Sequence, residues 1–252
     1  LAASMLFTGC SKKAESKVPD KLIVGTNAEF PPFEYMNDKK QPEGFDIAMI
    51  KEIGKRMGKK VEIKNMEFKS LIGAMESDSI NAIIAGMTKT EKREKAVDFS
   101  DSYYTTNQAI ILKKDSKITK LAQLDGKKIG VQEGTTGDLI SSGDKFGDGK
   151  KAKVLVKGAK VKRFKKGVDA VMDLKNGSVD AVVIDELTAN EFVKKNAKKL
   201  KIVIDSAGSE YYCIALTKGN TAYKEEVNKQ IKAIKEDGTY DKLKAKYIDS
   251  KN

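Results

Sequence analysis

Arg93 is the residue around which a binding chemistry can be built. It closes the run Gly86-Met87-Thr88-Lys89-Thr90-Glu91-Lys92-Arg93, which follows the apolar stretch Ala82-Ile83-Ile84. Thr88 and Glu91 have the Thr-x-x-Glu spacing of a capping box, so a helix is expected to start at Thr88. Arg93 then falls in the first turn, at the positive end of the helix dipole, where an arginine adds nothing to helix stability. An anion would use it. A guanidinium gives a carboxylate two parallel N–H bonds, and Gly86, Thr88 and their backbone supply further donors. The same residues also fit a plain cap beside a surface arginine. Gly134-Thr135-Thr136-Gly137 follows a strand pattern ending at Val131 and is a second helix start of this kind. It fits either an anion seat or a capped turn. Asp185 follows Ala181-Val182-Val183-Ile184. A carboxylate at the end of a strand can face a cleft and take an ammonium group, or it can cap the helix expected from Glu186. Phe30 and Phe68 each follow a strand pattern and fit either a core or an aromatic clamp.

Other chemistries are excluded by composition. The 252 residues include no histidine. That removes the commonest general base, the usual metal ligand and every Ser-His or Cys-His nucleophile. No catalytic residue, metal or cofactor is therefore assigned. Neither helix start carries a Gly-Lys-Thr or Gly-x-Gly-x-x-Gly nucleotide pattern. The net charge of +12 comes from lysine excess. Those lysines are spread along the chain without a nucleic-acid motif, so they read as a solvated surface and no nucleic-acid partner is expected. Cys213 lies in the apolar run Tyr211-Tyr212-Cys213-Ile214-Ala215-Leu216 and reads as a small buried side chain.

The elements that must position these groups alternate. Short apolar runs at Leu22-Ile23-Val24-Gly25, Val61-Glu62-Ile63, Ala82-Ile83-Ile84, Ala109-Ile110-Ile111-Leu112, Lys128-Ile129-Gly130-Val131, 160–164, Ala181-Val182-Val183-Ile184, Ile202-Val203-Ile204 and 212–216 read as strands. Between them, Phe45, Ala48, Met49, Ile53 and Met57 recur at helical spacing, as do Val168, Val171, Met172 and Leu174, and later Val227, Ile231, Ile234 and Leu243. Such alternation implies an α/β fold with mainly parallel sheets flanked by helices. The pattern runs twice, from Gly25 and again from Leu121, which implies two lobes with a ligand cleft at the carboxyl ends of their strands. Residues 141–158, rich in Gly, Lys and Asp, read as a surface excursion, with a short strand open at Val154-Leu155-Val156.

The first nine residues are apolar or small and end at Cys10, followed by the polar stretch Ser11-Lys12-Lys13. The pattern resembles a bacterial lipobox, in which the cysteine thiol receives a lipid and becomes the N-terminus. Residues 1–18 are thus read as signal remnant, lipobox and tether, with the folded part beginning near Val18.

Taken in order, these pieces resemble the type II solute-binding proteins (extracellular solute-binding protein family 3) of polar amino-acid ABC importers. The resemblance runs through Val24-Gly25-Thr26-Asn27-Ala28-Glu29-Phe30-Pro31-Pro32-Phe33-Glu34-Tyr35, Gly44-Phe45-Asp46-Ile47, Gly86-x-Thr88 with Arg93, and Val97-Asp98-Phe99-Ser100. It continues through Gly130-Val131-Gln132-Glu133-Gly134-Thr135-Thr136, Val179-Asp180-Ala181 with Asp185, and Asp237-Gly238-Thr239-Tyr240. It implies a two-lobed periplasmic-binding-protein-like type II fold. Lobe 1 would comprise 19–109 and 211–252, and lobe 2 would comprise 110–210, with crossover strands at 108–112 and 211–216. It implies that Arg93, Thr88 and the Gly86 backbone clamp a ligand α-carboxylate, with Thr136 contributing from the second lobe. Asp185 would take the α-ammonium, Phe30 and Phe68 would sandwich the side chain, and Asn27 would read its far end. Glu29 and Glu34 are candidates to add negative charge there.

The expected protein is a monomeric extracytoplasmic receptor, held to the membrane by a lipid on Cys10 alone. It would pass a free L-amino acid, cationic or glutamine-like, to an ABC permease by hinge closure. Two other readings remain open on the sequence. One is an enzyme resembling the cyclohexadienyl dehydratases, with Glu29 or Glu133 as general acid; the other is an amino-acid sensor module.

Overall fold

The computed structural model describes residues 17–147 and 152–249; the lipobox reading and Cys10 lie outside them. Parallel strands buried on both faces need nearly continuous β-branched runs, and this chain places them where the apolar pattern does. The first half opens with β1 (Lys21–Thr26), followed by a small antiparallel sheet of β2 (Glu29–Phe30), β3 (Glu34–Met36) and β4 (Pro42–Glu43). Helix α1 (Phe45–Arg56) carries Asp46 in its first turn and Lys55 and Arg56 in its last, which matches the helix dipole at both ends. It leads to β5 (Lys60–Asn65), a 3₁₀ turn (Phe68–Ser70), α2 (Leu71–Glu76), β6 (Ala82–Ile83) and the short α3 (Glu91–Glu94). β5 and β6 flank β1, both parallel to it.

Strand β7 (Val97–Lys113) then crosses to the second half. There β8 (Lys128–Gln132), α4 (Thr136–Ser141), a hairpin of β9 (Lys145–Phe146) and β10 (Lys153–Val154), β11 (Lys160–Phe164), α5 (Gly167–Asn176), β12 (Ala181–Asp185) and α6 (Glu186–Lys194) follow. β11 and β12 flank β8, again parallel. Strand β13 (Leu200–Thr217) returns to the first half, where α7 (Thr221–Glu236) and α8 (Thr239–Tyr247) complete it. The strand order β11-β8-β12-β7-β13-β6-β1-β5 therefore reads as two parallel triplets joined by two long antiparallel strands. These two strands pair along both halves, and their register slips between Asp205 and Glu210, at the passage from one lobe to the other. One large apolar cluster runs through both halves, from Leu22 and Ile53 to Ala170 and Val182, and a smaller one lies on either side of the passage. Leu71, Ile83, Val97 and Phe99 belong to one, and Leu112, Ile129, Val131 and Val183 to the other.

Three local expectations change. Residues 202–204 and 212–216 are parts of one strand, and the strand expected at 109–112 begins twelve residues earlier, at Val97. The polar stretches inside both strands hid this, because at the passage between lobes strand residues face the cleft rather than a core. Residues 153–154 pair with 145–146 as a hairpin, while Val156 is buried in the second core. The cap of α3 is Thr90, whose side chain accepts from the Arg93 amide at 3.3 Å, and not Thr88. Thr88 is still extended, bridged to Tyr212. Cys213 is buried and free, and burial pushes its thiol up to about 12, which keeps it unreactive. Among the described residues no helix is long and apolar enough to cross a membrane.

Candidate functional site

The carboxyl ends of β1 and β6 face those of β8 and β12, and the polar residues just beyond them converge on one narrow cavity. It is lined by Asn27, Phe30, Phe68, Gly86, Thr88, Arg93, Thr136 and Asp185, together with Ala85, Gln132 and Thr135. Eight of the nine ligand-binding residues expected from sequence are thus brought together. Glu29 is the exception. Its carboxylate pairs with Lys166 at 2.7 Å on the rim, outside the lining. Glu34 is not at the far end of the cavity either: it is fully buried beside Asp46. A wider groove of about 1080 Å³ opens beyond Phe68 and Arg93 between Ile72, Lys92, Leu139 and Arg163, but the converging buried polar groups belong to the smaller space.

Arg93 is buried by the fold rather than left on the surface. Its backbone is fixed by the Thr90 cap, and its guanidinium donates to the Thr88 carbonyl at 2.5 Å and, across the cleft, to the Gly134 carbonyl at 3.1 Å. The plane lies over the Phe68 ring, 5.3 Å from its centroid. Burial lowers its pKa to about 10, partly opposed by the charges of Glu210 and Asp185, so it stays a cation at neutral pH. Asp185 is the residue before α6, but its side chain does not cap that helix; it accepts from the Tyr212 hydroxyl at 2.7 Å and faces the cavity. Burial, then the charge of Glu210, raises its pKa far above the carboxylate range.

Thr88 and Thr136 face each other across the cleft, and both hydroxyls donate to Glu210 Oε2, at 2.5 and 2.8 Å. Gln108 donates to the other oxygen at 2.7 Å. The Gly86 N–H is engaged with Asp46 Oδ2 at 2.7 Å, so what Gly86 can add to the cavity is its carbonyl, an acceptor, and not the donor expected from sequence. Gly86 sits at φ +50°, and a Cβ there would stand 3.0 Å from the Phe30 ring, so glycine is needed for both conformation and space. At the other end Asn27 donates to the Met66 carbonyl and accepts from Gln132 Nε2 across the cleft, each at 2.8 Å. Three ion pairs close the rim: Glu29–Lys166, Glu67–Lys165 and Lys69–Glu133.

Glu210, which ties Thr88 to Thr136, and Gln132, which lines the cavity, are the residues of the candidate site that sequence reasoning missed. Gln132 is the last residue of β8, two before Gly134, the same position relative to its strand that singled out Asp185, so that rule would have found it. Glu210 has no such signal. It reads as one acid before an apolar run, and only the strand passage brings it between Thr88 and Thr136.

The site is a cleft between two α/β lobes with a buried guanidinium at one point and buried carboxylates at another. The comparisons agree with that architecture. The chain is 34% identical over 95% of its length to the arginine-binding extracellular protein ArtP of Bacillus subtilis (strain 168), covering 91% of that protein. An ancestral arginine-binding protein resembles it when solved with arginine (40% identity, TM-score 0.79, 92% of this chain and 100% of that one). An ancestral arginine-binding protein bound to glutamine is 41% identical with a TM-score of 0.80, covering 92% of this chain and 99% of that one. An ancestral amino-acid-binding protein, a precursor of cyclohexadienyl dehydratase, is 33% identical with a TM-score of 0.79, covering 90% of this chain and 95% of that one. The family model for bacterial extracellular solute-binding proteins, family 3, matches residues 22–250, and the chain belongs to that family.

Proposed function

We propose that this protein is the extracytoplasmic receptor of a bacterial ABC importer and binds a free L-amino acid, arginine or a glutamine-like ligand, without transforming it. The observation that carries this reading is the pairing of Arg93 with Asp185 in one buried cavity. Arg93 takes the α-carboxylate and Asp185 the α-ammonium; Phe30 and Phe68 hold the side chain, and Asn27 with Gln132 meets its end. Thr88 and Thr136 serve through Glu210, which ties their hydroxyls together. The lobes comprise 19–109 with 211–252, and 110–210, with β7 and β13 as the hinge. A ligand that bridges Arg93 on one lobe and Asp185 on the other binds the closed arrangement better than an open one, and this difference drives closure. Relatives named for arginine support the ligand class, as do the ancestral arginine-binding proteins solved with arginine and with glutamine. Cys10 is the proposed lipid attachment, so the protein acts as a tethered monomer.

Binding is favoured over the dehydratase reading because Glu29 and Glu133, the acids an elimination would use, are both paired with lysines on the rim. The decisive experiment is a thermal-shift screen of the standard amino acids with ornithine and citrulline. A specific ligand at 100 times its Kd adds about 2.7 kcal/mol of stability. No shift with any of them, or turnover of prephenate or arogenate, overturns the reading.

A further inference from the structure

Two carboxyl groups that the proposed function does not use lie directly behind the cavity. Glu34, at the start of β3, and Asp46, in the first turn of α1, are both fully buried, and the Asp46 amide donates to the Phe33 carbonyl at 2.9 Å, which sets the two residues side by side. Asp46 Oδ2 is well served, accepting from the Gly86 amide and from the Tyr103 hydroxyl, each at 2.7 Å. Asp46 Oδ1 and both Glu34 oxygens are buried without a hydrogen-bond donor among the described residues. Among the described residues the ionisable groups facing Glu34 are Asp46 on α1, Asp185 on β12 and Tyr103 on β7, all acidic. Two adjacent buried carboxylates without a cation are strongly disfavoured, because burial strips both of water and nothing offsets their repulsion. One proton between them removes one charge and supplies the missing donor at once.

We propose that Glu34, which touches no ligand, is a positioning residue for the amino-acid seat: its carboxyl, holding a proton, donates to Asp46 Oδ1 and keeps Asp46 where Oδ2 fixes the Gly86 peptide. The inference deepens the amino-acid reading and rests on it for the role of Gly86. Holding the Gly86 N–H from behind leaves its carbonyl for the ligand side, the polarity that an α-ammonium needs. The same Asp46 oxygen anchors Tyr103, which packs against Tyr212, whose hydroxyl holds Asp185. The proton thus keeps two of the acceptors around the ammonium in place. Burial, with Asp46 next, holds the Glu34 carboxyl well above the usual carboxylate range. The support it gives is present below that raised value and lost as the pH rises through it.

The test uses the full chain with E34Q, which keeps a donor without the acid, and E34A, which keeps neither. The wild-type infrared spectrum at neutral pH should contain protonated-carboxyl carbonyl absorption from Glu34 and from Asp185, and E34Q should remove the Glu34 share. By calorimetry, E34Q should bind L-arginine within about threefold of wild type and E34A about tenfold or more weakly, as expected for a lost hydrogen bond to a charged group. An E34Q spectrum that keeps all of that absorption overturns the proposal. So does E34Q binding weakened tenfold, or wild-type affinity in E34A. If E34A fails to fold, the spectrum and E34Q decide. If the wild-type protein binds no amino acid, the amino-acid reading falls while the infrared result still reports on the shared proton.

Discussion

Arg93 has three commitments already: one carbonyl on its own lobe, one on the other and the face of Phe68. Arg93→Ala should therefore weaken binding of L-arginine by at least about 2 kcal/mol, as for other buried charge pairs cut on one side. Arg93→Lys should recover only part, since an ammonium lacks the planar fork. Calorimetry with both variants checks this, and wild-type affinity in Arg93→Ala removes the clamp. Asp185 makes a second prediction. Burial and the nearby Glu210 raise its pKa, so near neutral pH it tends to hold a proton before the ligand arrives. An α-ammonium favours the carboxylate, so binding expels the proton, and affinity should rise as the pH goes from about 6 to about 8, by less than about tenfold per unit. Calorimetry in buffers of different ionisation enthalpy reads the proton directly; zero release across buffers contradicts the assignment. Most of this residue set was legible because it follows a simple rule, polar groups just past strand ends. Glu210 and the role of Asp46 were not, because their partners come from strands far away in sequence.

At the level of elements, α4 meets β12 without space to spare. A Cβ on Gly137 would stand 2.7 Å from the Val183 carbonyl oxygen, which is backbone and cannot swing away. Gly137→Ala should cost about 1–3 kcal/mol by overpacking. It should lower Tm by about 2–4 °C per kcal/mol in a chain of this size. Because Thr136 is the first residue of the displaced helix, L-arginine affinity should fall with it. Gly73 is the contrast. It lies within α2, and a Cβ there meets nothing within 4 Å. Gly73→Ala should leave binding unchanged and stabilise by about 0.4–1 kcal/mol. Differential scanning calorimetry of the pair separates the two cases; equal Tm values would count against the close-packing account. Helix and strand types were readable from period and β-branching, as at β8, β11 and β12. The capping of α3 was not. Thr88 and Thr90 both precede a helical run, and the choice falls on Thr90 because Thr88 is held extended against β13.

For the whole molecule, the lysine excess that read as a solvated surface has one organised part. Lys165, Lys166 and Lys69 sit on opposite lobes from Glu67, Glu29 and Glu133 and pair with them at 2.7–2.9 Å around the cleft mouth. These pairs are exposed and individually weak. Together they favour closure without touching the ligand. A Lys165→Ala, Lys166→Ala double variant should bind L-arginine a few-fold more weakly, with a larger radius of gyration than wild type before ligand is added. Raising the salt should move the wild-type protein the same way. Small-angle scattering with and without L-arginine measures both, and identical curves for the two proteins at every salt level would rule the rim out. Composition alone showed the charge but not this arrangement, since lysine and glutamate are common all along the chain and only closure makes them partners.

The two long strands carry a consequence for how the molecule is made. The β1–β5–β6 sheet pairs through β6 with the last part of β13, and its core is filled by Val227, Ile231 and Ile234 of α7. Ile83 and its partner Ala215 stand 132 positions apart, and most of the residues between them belong to the other lobe. A chain growing from its N-terminus makes the β1–β5–β6 triplet first, yet that triplet waits with an unpaired edge and an uncovered apolar face for the final stretch, by which time every strand of the second lobe's triplet is present. The half that begins the sequence is the half that finishes folding last, and the interval between is when it is most open to misassembly and most in need of protection.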